Sequence, residues 1–350
     1  MLLVLALVAA GCSTTEEAGG ARPAGSDGAG PTGTAAPSPE GQPSEGGATI
    51  DAEPVRPVSV LGLAEQRHRG DRLRLGAVRE QTADYTSYDV TYRSRSTTGP
   101  DQQGEESWTI SGVLNVPTGR GPFPAVVLAH GYIDPAIYER GQGMTRERGY
   151  LAGRGYIALH VDYRNHAASD DDPDYQREMR LGYTADVINA VKALRSSREV
   201  PVDDDRVALF GRSMGGGVIL KALVAEPGLV GAAAPWASVS SWEADNYRQF
   251  IRGDPSDSAM VSHGTPAQNP QFWRENSSRP YFDRITEPVL MVHGRFDDTC
   301  PPPWATATQR ALVAAGVDSR LQWYDDGHAF GPAFFAAMDR TVRFFDAQLG

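Results

Sequence analysis

Apolar positions along the chain fall into three regimes. Residues 2–10 are an unbroken apolar run. It is about half the ~20 residues a membrane-crossing helix needs, and matches the core of a secretion signal. Residues 13–54 are Gly, Ser, Thr, Ala, Pro and Glu with almost no large apolar side chain, and no aromatic occurs before Tyr85. Such a stretch buries too little surface to offset its ordering entropy, so residues 13–55 are expected to be a flexible tether. From Pro57 the pattern is that of a folded protein, and residues 56–350 are expected to form one domain.

Within that domain two periodicities alternate. Residues 85–92 alternate like a half-buried strand, and residues 108–116 read as its hairpin partner. Short apolar runs suited to buried parallel strands come next, at 125–128, 156–159, 207–210, 231–234 and 289–292. Helical spacing lies between them. Tyr183, Val187, Ile188, Val191 and Leu194 share one face; Phe334, Met338, Val342 and Phe345 share another. A weaker stripe of Trp304, Ala311, Leu312 and Ala315 is interrupted by Thr308. Antiparallel strands followed by repeated strand–helix units predict an α/β fold: a mostly parallel, twisted sheet with N-terminal antiparallel strands and helices on both faces. Residues 236–285 carry Trp242, Tyr247, Phe250, Phe272, Trp273 and Phe282. They read either as an extension of the core or as a small cap insertion.

Composition narrows the function. Against 33 Lys and Arg stand 44 Asp and Glu, a formal charge of -11. With no long basic run, that balance excludes nucleic acid as a partner. Two cysteines exclude a disulfide scaffold and a cysteine-based zinc finger. One of them ends the apolar run, as Ala9-Ala10-Gly11-Cys12. Residues 1–12 thus resemble a bacterial lipoprotein signal. The resemblance implies lipidation at Cys12 and an exported protein held at the cell envelope by its lipid anchor; the alternative is an ordinary cleaved signal and a secreted protein. Cys300 then remains a lone thiol, expected to be buried.

The candidate chemistry lies at strand ends, where open α/β sheets place it. Gly211-Arg212-Ser213-Met214-Gly215 is Gly-x-Ser-x-Gly, weak alone but here preceded by a buried-type strand and followed by a helix opening. The turn should be sharp and strained, exposing the Ser213 hydroxyl, with Gly211 and Gly215 allowing strand and helix to approach. A serine needs a base, and His328 lies beyond every plausible acid, in a loop before the last helix. The acid should come after the strand ending at His293, where Asp297 and Asp298 compete. An oxyanion would be held by the N–H of Met214 and by that of Tyr132, since His130-Gly131-Tyr132, in the loop after the 125–128 strand, resembles the hydrolase pattern that supplies the second donor. His130 is expected to hold that turn. The acidic stretch Ser169-Asp170-Asp171-Asp172-Pro173-Asp174 reads as a solvated loop, or as a group that attracts a peptide amino terminus.

The strand-His-Gly-x-x-Asp-x-x-(apolar)-Pro pattern of residues 293–301 resembles the catalytic domain of prolyl oligopeptidase-type (S9) serine peptidases, which have the α/β-hydrolase fold. The resemblance runs from about Pro57 to the C-terminus. It implies that Asp297 is the acid, with Cys300 where Val is usual. It also covers residues 162–169, where relatives carry Arg-Gly-His-Gly and this chain has Asn165 and Ala167. The resemblance implies a serine hydrolase that needs no metal or organic cofactor, acting on short peptides through an acyl-enzyme. A carboxylesterase uses the same triad, and a surface-binding lipoprotein without activity is the alternative of another class.

Overall fold

The computed structural model describes residues 54–98 and 104–350. The expected signal, with Cys12, and residues 13–53 of the tether lie outside the described residues. The described chain forms a nine-stranded sheet in the order β1-β2-β3-β5-β4-β6-β7-β8-β9. Three antiparallel strands come first: β1 (Arg67–Gln81), β2 (Tyr85–Thr98) and β3 (Gly104–Pro117). β3 also pairs antiparallel with β5 (Ile157–Val161). From there β4 (Phe123–Ala129), β6 (Val202–Arg212), β7 (Ala232–Trp236), β8 (Val289–Gly294) and β9 (Ser319–Tyr324) run parallel with β5. This is the mostly parallel sheet with N-terminal antiparallel strands predicted from the pattern of runs, and the α/β-hydrolase fold that the resemblance implied.

The central strands read as continuous apolar runs because both their faces are covered. On β4, Ala125, Val127 and Ala129 enter one core while Val126 and Leu128 enter the other. β6 divides likewise, Val207 and Leu209 against Ala208 and Phe210. The first core lies under α1 (Val60–Ala64), α3 (Leu181–Arg195), α4 (Met214–Ala225) and α8 (Pro302–Ala314). The second lies under α2 (Thr145–Ala152) and α9 (Phe334–Leu349). Each fully buried Val, Leu or Phe contributes roughly 1.5–3 kcal/mol, so the two-sided strands are the sheet's main source of stability.

Three features differ from the sequence reading. β1 has no apolar run to announce it: its inward positions include His68 and Gly70, and its outer half is exposed. Arg67, Arg69, Arg72, Arg74 and Arg79 charge this edge strand, which discourages pairing with another chain. Thr308 does not break the α8 stripe; it is buried at its centre, its hydroxyl hydrogen-bonded to Ser241 at 2.8 Å. On α9, Ala337 and Thr341 are buried and Val342 is only partly covered.

Between β7 and β8 the chain forms α5 (Glu243–Asn246), α6 (Ser258–His263) and α7 (Pro270–Glu275). Phe282 joins the first core, while Phe272 and Trp273 are buried with Tyr247 packed on Trp273, a small core of the insertion's own. The insertion encloses a pocket of about 450 Å³ lined by Trp242, Tyr247, Pro266, Pro270 and Trp273 among others. Neither Ser213 nor His328 lines it.

Candidate active site

Parallel pairing puts the C-terminal ends of β4, β6, β8 and β9 at one edge of the sheet. The loops that leave them carry Tyr132, Ser213, Asp297 and His328. Ser213 joins β6 to α4 at φ 57° and ψ −121°, a left-handed conformation that costs an L-residue about 1–3 kcal/mol. Backbone hydrogen bonds lock it there. Its N–H donates to Trp236 O at 2.9 Å, and its carbonyl accepts from Gly216 at 3.0 Å and Val239 at 3.1 Å. The flanking glycines have no room for a side chain. A Cβ on Gly211 would stand 2.2 Å from Gly215 O, and one on Gly215 would stand 1.9 Å from Ala129 O.

Asp297 is buried, and His328 Nδ1 donates to its Oδ2 at 2.9 Å and faces its Oδ1 at 3.1 Å. Oδ1 also accepts from the N–H groups of Thr299 at 3.0 Å and Cys300 at 2.8 Å. With Nδ1 protonated toward the carboxylate, Nε2 of the neutral ring is left as an acceptor. Asp298 is exposed and, among the described residues, accepts only from the Thr299 hydroxyl, at 3.3 Å. Of the two competing carboxylates, Asp297 is therefore the one in contact with the imidazole.

Ser213 and His328 do not share a hydrogen bond within 3.5 Å. The Ser213 hydroxyl instead lies against the buried Cys300 thiol, whose pKa burial pushes up to about 12, with the Asp297 charge acting in the same direction. At that value the thiol stays protonated, as the inert small residue expected at this position. Serine–base bonds are often long in unliganded hydrolases and tighten when substrate binds.

The loop after β4 begins beside Ser213: a Cβ on Gly131 would lie 3.1 Å from Ser213 Cβ. Among the described residues, neither Met214 N–H nor Tyr132 N–H donates to a protein acceptor. His130 is buried, and burial, then the neighbouring His166, lowers its pKa to about 3. It is thus neutral, stacked between Tyr138 at 4.8 Å and Tyr163 at 4.4 Å, while Tyr163 Oη donates to His130 O at 3.0 Å. That is a residue holding a turn. Beneath it the Asp162 carboxylate accepts from Ser111 and Tyr138 hydroxyls and from Gly141 N–H.

The 162–169 loop accounts for its own departures. Asn165 (φ 66°) and Ala167 (φ 52°) both sit in the left-handed region, where glycine is unstrained. Asn tolerates that region and here donates to Asp172 O at 2.8 Å. The acidic stretch is largely committed internally. Asp170 accepts from Thr109 N–H, Asp172 pairs with Arg164 at 3.1 Å, and Asp174 with Arg177 at 2.9 Å.

Other contributors carried little sequence signal. His293, read only as a strand end, donates from Nε2 to Cys300 O at 2.8 Å and lies 3.4 Å from Asp297 Oδ2; burial lowers its pKa. Its place in the His-Gly-x-x-Asp pattern was the available clue. Arg146 donates to the carbonyls of Ala329 at 2.8 Å and Phe330 at 3.1 Å, which steadies the His328 loop from a helix far upstream in the chain. Asp326 braces the same loop by accepting from Gly327 and Ala333 N–H, both at 2.8 Å. Among the described residues no group of three His, Cys, Asp or Glu side chains is arranged to hold a metal ion.

The profile of the Prolyl oligopeptidase family matches residues 143–350. Dipeptidyl peptidase 4 of Felis catus is 30% identical over 192 residues, 53% of this chain and 24% of the relative. The chain thus spans about a quarter of the length of that curated relative. Among solved structures, the acetyl xylan esterase of Paenibacillus sp. R4 superposes with a TM-score of 0.60 at 23% identity, covering 83% of this chain and 92% of the other. The Pyrococcus horikoshii acylaminoacyl peptidase superposes at 0.55 with 16% identity, over 79% and 56%. At those identities the two structures speak for the fold.

Proposed function

Because the chain belongs to the prolyl oligopeptidase family and is a serine hydrolase, we propose that it is a serine peptidase that cleaves short peptides through an acyl-enzyme. The observation that carries the reading is the His328–Asp297 pair, Nδ1 to Oδ2 at 2.9 Å, at the sheet edge that also holds the strained Ser213. In this mechanism His328 Nε2 takes the Ser213 proton as the hydroxyl attacks a carbonyl. Asp297 holds the imidazole in the required tautomer and stabilises its cation. Met214 and Tyr132 N–H receive the oxyanion; losing one such donor typically costs ~2.7–4 kcal/mol of transition-state stabilisation. The start of α4 adds a favourable dipole. His328 then protonates the leaving amine, and water, deprotonated by the same ring, releases the acyl group.

The second reading is an acyl-ester hydrolase with identical residues. An ester's alkoxide leaves more readily than an amine, so the same constellation suffices for it. Two measurements test these readings together. A fluorophosphonate probe should label the protein and fail to label Ser213→Ala; labelling that survives the substitution removes Ser213 as nucleophile. Turnover of aminoacyl anilides beside short acyl esters then separates the activities, and ester cleavage without amide cleavage rejects the peptidase.

A further inference from the structure

Arg180 stands apart from the other arginines near the site. It immediately precedes α3, at φ 56° and ψ 26°, after Met179 at φ 54°. Its guanidinium carbon lies 5.1 Å from the centre of the Tyr132 ring. Tyr132 is 56% exposed, on the loop whose Gly131 abuts Ser213. Tyr175 and Tyr183 stack on each other at 6.0 Å, and the charge of Arg180 opposes the effect of burial on both phenols. The guanidinium thus lies against Tyr132, and its charge reaches two further phenols.

Among the described residues Arg180 forms no ion pair, and its Nε is buried without a hydrogen-bond partner. Of the acids in the preceding loop, Asp172 pairs with Arg164, and Asp174 and Glu178 pair with Arg177. A buried guanidinium donor without an acceptor is costly. Among the described residues this leaves a cation without an ion pair, its Nε buried, beside the Tyr132 loop. The insertion reaches the same loop, where His263 Nε2 donates to Arg177 O at 3.0 Å, so this spot lies between the sheet edge and the insertion.

We infer that Arg180 is an anion-recognition residue of the substrate site: its guanidinium, held against Tyr132, receives a carboxylate of the substrate near the scissile carbonyl. This rests on the peptidase reading and adds a substrate class to it, peptides bearing a negative charge close to the cleaved bond. The planar fork of Arg suits a carboxylate, and stacking on Tyr132 leaves the fork's edge free to donate. The carboxylate belongs either to the free C-terminus of a short peptide or to an Asp or Glu side chain.

Matched substrates distinguish these sources and test the idea. Tri-alanine is compared with its C-terminal amide, and a Glu-containing tripeptide amide with its Gln counterpart. The expected result is a kcat/KM at least about 10-fold higher for the charged member of one pair, expressed in KM, as for a hydrogen bond to a charged group. Arg180→Met should bring that ratio to about 1, and Arg180→Lys should recover part of it. Equal rates for both members of each pair in the wild type overturn the inference while leaving the Ser213 reading intact. So does an Arg180→Met loss shared equally by charged and neutral substrates, which marks Arg180 as a support for Tyr132. If no peptide is turned over, NMR titration of Ser213→Ala with the same pairs decides. Weaker binding of the neutral members upholds the inference; equal binding or none overturns it.

Discussion

At the scale of single residues, environment rather than identity separates groups of the same kind. Asp297 and Asp298 are adjacent carboxylates. One is buried, held by two backbone N–H groups and in contact with His328; the other is exposed beside Thr299. Asp297→Asn should lower kcat by about 10⁴, because an amide cannot hold the imidazole in its required tautomer. Asp298→Asn should stay within about twofold. Steady-state rates on an activated ester, with circular dichroism to confirm folding, check both; equal losses would remove Asp297 from its proposed role. The histidines divide in the same way. His130 is sealed among rings and kept neutral, whereas the His328 side chain is 23% exposed and has an unencumbered Nε2.

At the scale of elements, the strand–turn–helix at Ser213 depends on the absence of two side chains. β6, α4 and the end of β4 converge so closely that Gly215 lies against Ala129 O. Gly215→Ala should therefore destabilise the fold by about 3 kcal/mol and abolish probe labelling, since relief requires the turn to move. Gly253→Ala is the control: a Cβ there meets nothing within 4 Å. It should leave the urea midpoint nearly unchanged. Equal midpoints for the two variants would show that the turn yields without cost. The insertion obeys another logic, since its aromatics pack mainly on one another and on the first core, and its short helices are not amphipathic spans laid on the sheet.

At the scale of the whole molecule, buried histidines couple stability to pH. Burial lowers the pKa of His130 to about 3 and that of His160 well below its ordinary value. Unfolded, both titrate near 6.5, so below that pH the unfolded chain binds protons that the folded chain refuses. Their contribution is fully present above pH 6.5 and is lost as pH falls from 6.5 toward 3. The slope is roughly 1.4 kcal/mol per pH unit for each histidine. Urea unfolding should thus show stability falling by a few kcal/mol between pH 7 and pH 5, above the range where ordinary carboxylates titrate; a flat profile there would mean the rings take protons in place.

Much of this architecture is written locally. Both-face burial makes β4 to β8 apolar runs, and the Gly-x-Ser-x-Gly spacing marks a sharp turn because strain and close approach demand those residue types. β1 is hard to read because an edge strand buries little and its charged positions resemble a loop. Thr308 reads as a flaw in α8 because its partner, Ser241, is 67 residues away. The sequence by itself determined which stretches become strands, where the chain must turn, and which residue types stand at the strand ends. Only the tertiary structure decided which carboxylate meets His328, that His293 and Arg146 brace the site, and that Arg180 has no acid to pair with among the described residues. Those outcomes depend on burial and on distances between chain-remote groups, which exist only once the sheet has brought its strand ends together.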